Sequence, residues 1–144
     1  MALDIFALQS ALYARLKAEI ADVPVFQHVP QDQAYPYIRI DGLDVSDDGT
    51  KTTEMWDIAV TLSAFDKNVS STRPILTILK RMHAALHDQE TALDVQQDGE
   101  GQIILAGYEV VLIRFEMQQA FQQGKPDDQY YHGVQRYRVI LQQL

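Results

Sequence analysis

An α+β fold, a mainly antiparallel sheet with two main helices packed on one of its faces, is predicted by three observations. Two segments, Leu3 to Ile20 and the stretch from Pro74 to Leu86, repeat apolar residues every three or four positions, the period of a helix that buries one stripe. Other segments alternate with period two or run apolar for several β-branched and aromatic residues, as strands do. The order is helix, strands, helix, strands, which suits a meander flanked by helices better than a parallel βαβ array. A chain of 144 residues, 47% hydrophobic and 22% charged, is the size of one domain spanning 1–144 around one core.

The first helix is carried by Ile5, Leu8, Leu12, Leu16 and Ile20, with Gln9, Arg15, Lys17 and Glu19 mostly off that stripe; Val23-Pro24 ends it. Pro30 and Pro36 then bracket the polar turn Gln31-Asp32-Gln33. Neither proline donates a backbone hydrogen bond, and each biases Val29 or Tyr35 toward extended geometry, so the turn hands the chain to a strand at Tyr37 to Asp41. Gly42 to Thr53 is rich in Asp, Gly, Ser and Thr and reads as a long exposed loop. From Met55, Trp56, Ile58, Val60, Leu62 and Ala64 alternate with Asp57, Thr61 and Ser63, which predicts a half-buried strand.

Ser70, Ser71 and Thr72 are candidate N-caps of the second helix, and Pro74 suits its first turn. Its stripe is Ile75, Leu79, Met82 and Leu86, widened by Leu76 and Ile78, and Lys80, Arg81, His83 and His87 gather toward its C-terminal half. Asp94 to Leu105, with Asp98-Gly99-Glu100-Gly101 inside, reads as a hairpin. Tyr108 to Met117 places Val110 and Leu112 on one side and Val111, Ile113 and Phe115 on the other, apolar enough for a central strand. Gln118 to Gln129, with Gly124-Lys125-Pro126-Asp127, reads as a second loop, and His132 to Leu141 as the last strand.

Composition excludes several chemistries. With no cysteine there is no disulfide scaffold, thiol nucleophile or cysteine zinc site. No run approaches the roughly 20 apolar residues of a membrane span, and the N-terminus lacks a secretory pattern, so a cytoplasmic site of synthesis and no membrane partner are expected. A net charge of −8 makes the general electrostatic term toward DNA repulsive and favours protein partners. His83 and His87 share a helical face with Asp88 adjoining, yet the H-E-x-x-H pattern of a zinc protease is absent. Asp47-Asp48 and Asp127-Asp128 are paired acids in polar loops, and Asp44 to Gly49 only faintly echoes a calcium loop. No phosphate cradle or nucleophile elbow occurs, so no catalytic residue, metal or cofactor is expected. Arg136 and Arg138 suit cross-strand pairing with Glu109 and Glu116 better than nucleic-acid binding.

Taken in order, these segments carry a resemblance. Leu8-Gln9-Ser10-Ala11-Leu12-Tyr13-Ala14-Arg15-Leu16 is followed by Val25-Phe26-Gln27-His28-Val29-Pro30 and Ala34-Tyr35-Pro36-Tyr37-Ile38. Trp56, Val60, Leu62, Ser63 and Phe65, then Ala84-Ala85-Leu86-His87-Asp88, Leu112-Ile113-Arg114-Phe115-Glu116 and Tyr131-His132-Gly133-Val134-Gln135-Arg136-Tyr137-Arg138 complete the set. The series resembles the tail completion, or tail terminator, proteins of long-tailed bacteriophages and gene transfer agents. One departure is the length of Asp94 to Leu105, which exceeds the short link expected there.

The resemblance implies a tail-terminator-like domain that assembles as a hexameric ring on the head-proximal end of a tail tube. Its partners would be further copies of itself, the tail tube protein and a head-tail connector or stopper, with DNA only as cargo. It would be assembled in the host cytoplasm and reside in the tail of a virion or virion-like particle. Candidate ring or partner contacts are Gln31 and Asp32 in the proline-bracketed turn, Asp47, Asp48 and Lys51 in the first loop, and Lys125, Asp127 and Asp128 in the second. A negative inner wall would repel passing DNA rather than trap it. Two other classes stay open: another connector or tail tube subunit, and a metal-dependent hydrolase using His83, His87 and an acid.

Overall fold

The computed structural model describes residues 3–67 and 70–144. Helix α1 (Ile5–Glu19), strands β1 (Val25–Phe26), β2 (Tyr37–Asp47) and β3 (Met55–Asp66), helices α2 (Arg73–Leu86) and α3 (Glu90–Asp94), and strands β4 (Tyr108–Lys125) and β5 (Asp128–Gln143) follow in that order. The strands form one sheet in the spatial order β1-β2-β3-β5-β4, antiparallel except for the β1 and β2 pair. Both long helices lie on one face, giving the α+β architecture that the periodicities predict.

The core lies between helices and sheet. Leu8, Leu12 and Leu16 of α1 and Ile75, Leu79, Met82 and Leu86 of α2 are fully buried against Ile38, Ile58, Val60, Leu62, Ile113, Val139 and Leu141. Asp4 caps α1, its side chain accepting from the Ala7 N–H at 3.3 Å, and Pro74 stands in the first turn of α2. The side chain of Thr72, the N-cap of α2, makes no capping bond, while the Ser71 hydroxyl accepts from the Arg73 N–H at 3.1 Å. Arg15 ties the helices together by donating to the Ala85 carbonyl at 2.9 Å. Gly133 allows α2 to approach the sheet: a Cβ there would stand 2.8 Å from both methyl groups of Leu79.

Several expectations are corrected. Strand β2 continues past Asp41 to Asp47, because a bulge between Ile40 and Gly42 restores pairing with β3, so the connection is shorter than Gly42 to Thr53. Gln118 to Gln129 is no loop. It is the distal part of a β4–β5 hairpin in which only Pro126 and Asp127 lie outside the ladder, and its apolar alternation is missing because both its faces meet solvent. Gly124, at φ 98° and packed against the Asp128 carbonyl, makes the close approach that no other residue type could. Strand β4 is an edge strand rather than a central one, and a bulge at Val111 puts Val110 and Ile113 together on the buried side. Asp94 ends α3, and the predicted 94–105 hairpin is reduced to a single bridge between Gln97 and Ile103. Leu76 is exposed instead of widening the α2 stripe.

Candidate functional site

The sheet face opposite the helices is uncovered and carries the most organised polar and aromatic groups of the chain. Its registers place Tyr37, Phe65, His132 and Phe121 side by side across four strands. Tyr37 stacks on Phe65 at 4.9 Å between ring centroids, Phe65 on His132 at 4.4 Å, and Phe121 lies 5.0 Å from His132. Tyr35 and Tyr130 extend the row at 5.7 Å from each other, and Arg39 lies over Phe65. Under this layer the Ser63 hydroxyl donates to Asp41, which also pairs with Arg39, and His132 Nε2 lies 2.8 Å from Ser63 Oγ. Burial holds the His132 imidazole below its ordinary range, opposed by the Asp41 charge and helped by Arg39.

A serine, a histidine and an aspartate thus meet, but not as a nucleophilic triad. A triad needs the acid on the far nitrogen of the imidazole, whereas here Asp41 accepts from Ser63 and His132 Nδ1 faces Gln123 Oε1 at 3.0 Å. Ser63 is fully buried, so no substrate reaches it. The arrangement works as a polar clasp joining β2, β3, β5 and β4. Neighbouring residue types in sequence gave no signal of it, because Ser63 and His132 are 69 residues apart. The repeated aromatics at strand ends were the available clue.

Six of the eight candidate contacts fall into two groups at opposite ends of the sheet. Lys125, Asp127 and Asp128 form the β4–β5 turn at one end, where Asp128 pairs with Lys67, while Gln31 and Asp32 lie exposed in the connection from β1 to β2. Asp47, Asp48 and Lys51 lie at the other end, Asp47 closing β2 and the other two in the connection to β3. That connection is tightly organised: the Asp47 carboxylate accepts from the Gly49 N–H at 2.9 Å, the Asp48 N–H donates to the Met55 carbonyl at 2.9 Å, and the Thr50 N–H to the Thr53 carbonyl at 2.8 Å. Between the ends runs a charged band in which Arg138 grips Asp57 through two nitrogens, at 2.8 to 3.1 Å, and Arg136 meets Glu116 at 3.4 Å. The cross-strand pairing expected for Arg136 is present, while Arg138 has taken Asp57 in place of Glu109.

His83 and His87 stack at 4.7 Å, and His87 Nδ1 accepts the Phe115 N–H at 3.1 Å, so one ring nitrogen serves the backbone. Asp44 sits in β2 opposite Ala59, outside the loop that a calcium pattern would require. An open cleft of about 540 Å³ lies between α1 and the 96–104 segment, but its one carboxylate, Asp98, already accepts from the Glu100 and Gln102 N–H groups.

The family model described as Tail completion protein gp17 matches residues 10–142. The chain belongs to that family. A tail completion protein is a structural protein of a phage-type tail. A chain in the solved virion of a native gene transfer agent particle is similar to it, with a TM-score of 0.74 and 16% identity over 99% of each chain, a likeness of fold. No curated protein matches it. On this tail completion protein the two polar ends and the face between them carry the exposed charged and aromatic groups described above.

Proposed function

We propose that the protein caps the head-proximal end of a tail tube as a ring, ends tube growth and forms the tail side of the head-tail junction. Family membership supports the tail setting. The observation that carries the finer reading is the separation of Asp47, Asp48 and Lys51 from Lys125, Asp127 and Asp128 along strands of 11 to 18 residues. One rigid sheet thereby presents two different polar ends, as a subunit must that meets a tube on one side and a connector or stopper on the other. Hexameric assembly, the tail tube protein and the connector as partners, and DNA as cargo belong to this reading. Among the described residues no helix is long and apolar enough to cross a membrane.

Electron microscopy of purified tail tubes mixed with the protein tests it. The expected result is ring density at one end of each tube and a halt to further growth. Bare tube ends, or long cylinders made of this chain alone, would overturn it, the cylinders assigning it instead to the tube. With filled heads in place of tubes, density on the portal and none on tube ends would assign it to a stopper.

A further inference from the structure

The outer edge of β4 is treated differently along its length. In its first half the Val110 N–H donates to Asp94 at 2.8 Å, the Ile113 N–H to Glu90 at 3.4 Å and the Phe115 N–H to His87 at 3.1 Å, while the Ile113 carbonyl accepts from the Asp88 N–H at 3.0 Å. Helix α3 and the end of α2 therefore cover that edge. Beyond the bulge after Phe115, among the described residues, no group from outside the hairpin bonds to the backbone of Met117 to Lys125. This stretch is exposed at every residue but Met117 and Gln123.

Natural sheets blunt such an edge with lysine, proline or a covering segment. Here Met117-Gln118-Gln119-Ala120-Phe121-Gln122-Gln123-Gly124 contains no charge and no proline, a lysine and a proline coming only where the strand ends, at Lys125 and Pro126, on a chain of net charge −8. The opposite edge of the sheet, β1 with its flanks, is also uncharged from Val23 to Gln31. Two copies of so acidic a chain repel each other broadly, and these two edges are places where they could meet without opposing carboxylates. A ring of more than two copies needs two different surfaces on opposite sides of each subunit, which the β4 and β1 edges are.

Building on the ring reading above, we propose that the uncovered edge of β4 in one copy adds to the β1 side of the next, around Val25 to Val29, so that the sheet continues from subunit to subunit. The two strands meet antiparallel, and Pro30 and the covered first half of β4 stop the contact at the same end, the one away from the β4–β5 turn. Phe121, half exposed at the rim of the aromatic row, would pack across the junction.

The chain has no cysteine, so introduced ones report this contact directly. Particles purified from the strain that makes the tails, carrying the Gln122→Cys/His28→Cys double variant, are treated with a short bismaleimide and run on a denaturing gel. The expected result is a ladder of multimers from the double variant and monomer from each single variant. Incorporated double variant that stays monomeric would overturn the proposal while leaving the ring intact, and dimers from Gln122→Cys alone would replace it with two-fold pairing of β4. Absence of the unaltered chain from tails would remove the ring reading itself. Independently, Ala120→Lys places a charge on the edge without touching the core; a monomer of unchanged circular dichroism should enter tails at least tenfold less, and normal entry would count against the contact.

Discussion

His132 Nε2 lies 2.8 Å from Ser63 Oγ, and the imidazole stacks on Phe65 with Phe121 tilted against it, on the sheet face opposite the helices. Burial keeps its proton affinity below the ordinary value of 6.5, with Asp41 opposing and Arg39 adding to that shift. The unfolded chain therefore binds a proton near pH 6.5 while the folded chain waits for lower pH, so unfolding takes up a proton in between. Stability contributed by the neutral ring is full above that value and falls as the pH drops through the folded one. Urea midpoints from pH 8 to pH 5 should decline in the native chain and decline less in His132→Phe, which keeps the stack. Equal slopes in the two proteins would rule out His132 as the source.

The bulge at Val111 yields a sharp contrast between adjacent residues. Val110 is 3% exposed and Val111 44% exposed, although their side chains are identical. Threonine is nearly isosteric with valine, so Val110→Thr buries a hydroxyl away from water and should cost about 1–3 kcal/mol. Val111→Thr should change stability by less than about 0.5 kcal/mol. Chemical denaturation of the two variants distinguishes this register from an unbulged strand, in which the larger loss would fall on Val111.

Gln135 is a buried amide whose polar atoms are all used. It donates to the Leu79 carbonyl at 2.7 Å and to Gln118 Oε1 at 2.8 Å, and accepts from the Tyr137 hydroxyl at 2.7 Å. Burial raises the Tyr137 phenol well above its usual range, so it stays a neutral donor. Tyr137→Phe should cost about 1–2 kcal/mol by leaving an amide oxygen without its donor. Gln135→Leu should cost more, because it strands the phenol. Comparable losses in a Tyr137→Phe/Gln135→Leu double variant and in Gln135→Leu alone would show the coupling expected of one network.

How much of this the sequence reveals depends on which faces are buried. The α1 stripe of Leu8, Leu12, Leu16 and Ile20 and the β3 alternation of Ile58, Val60, Leu62 and Ala64 were legible because each has one buried side and one wet side. Residues 118 to 129 read as a loop because a strand wet on both faces has no apolar period to find. The edge position of β4 was hidden for another reason: His87, Glu90 and Asp94 satisfy its backbone, so its residues could be as apolar as those of an inner strand. Of the candidate contacts, their polar, exposed character was readable, but their division between two ends depends on strand register. Register is set by bulges at Asp41, Val111 and Glu116 that no composition announces.

That division leads to the most direct functional prediction. Asp47 and Asp48 stand at one end of the sheet and Asp127 and Asp128 at the other, so charge reversal at each end should disturb a different partner. Asp48→Lys, which leaves the loop-bracing Asp47 carboxylate in place, and Asp127→Lys, which leaves the Asp128 pair with Lys67 in place, should both fold with the native thermal midpoint. In assembled particles one variant should release tails that grow past their normal length, the mark of a lost tube contact. The other should yield capped tails of normal length that fail to join filled heads. Electron micrographs scored for tail length and head attachment separate the two defects. If both variants show the same defect, the two ends serve one partner, and a cap that bridges tube and connector along its strands is the wrong geometry.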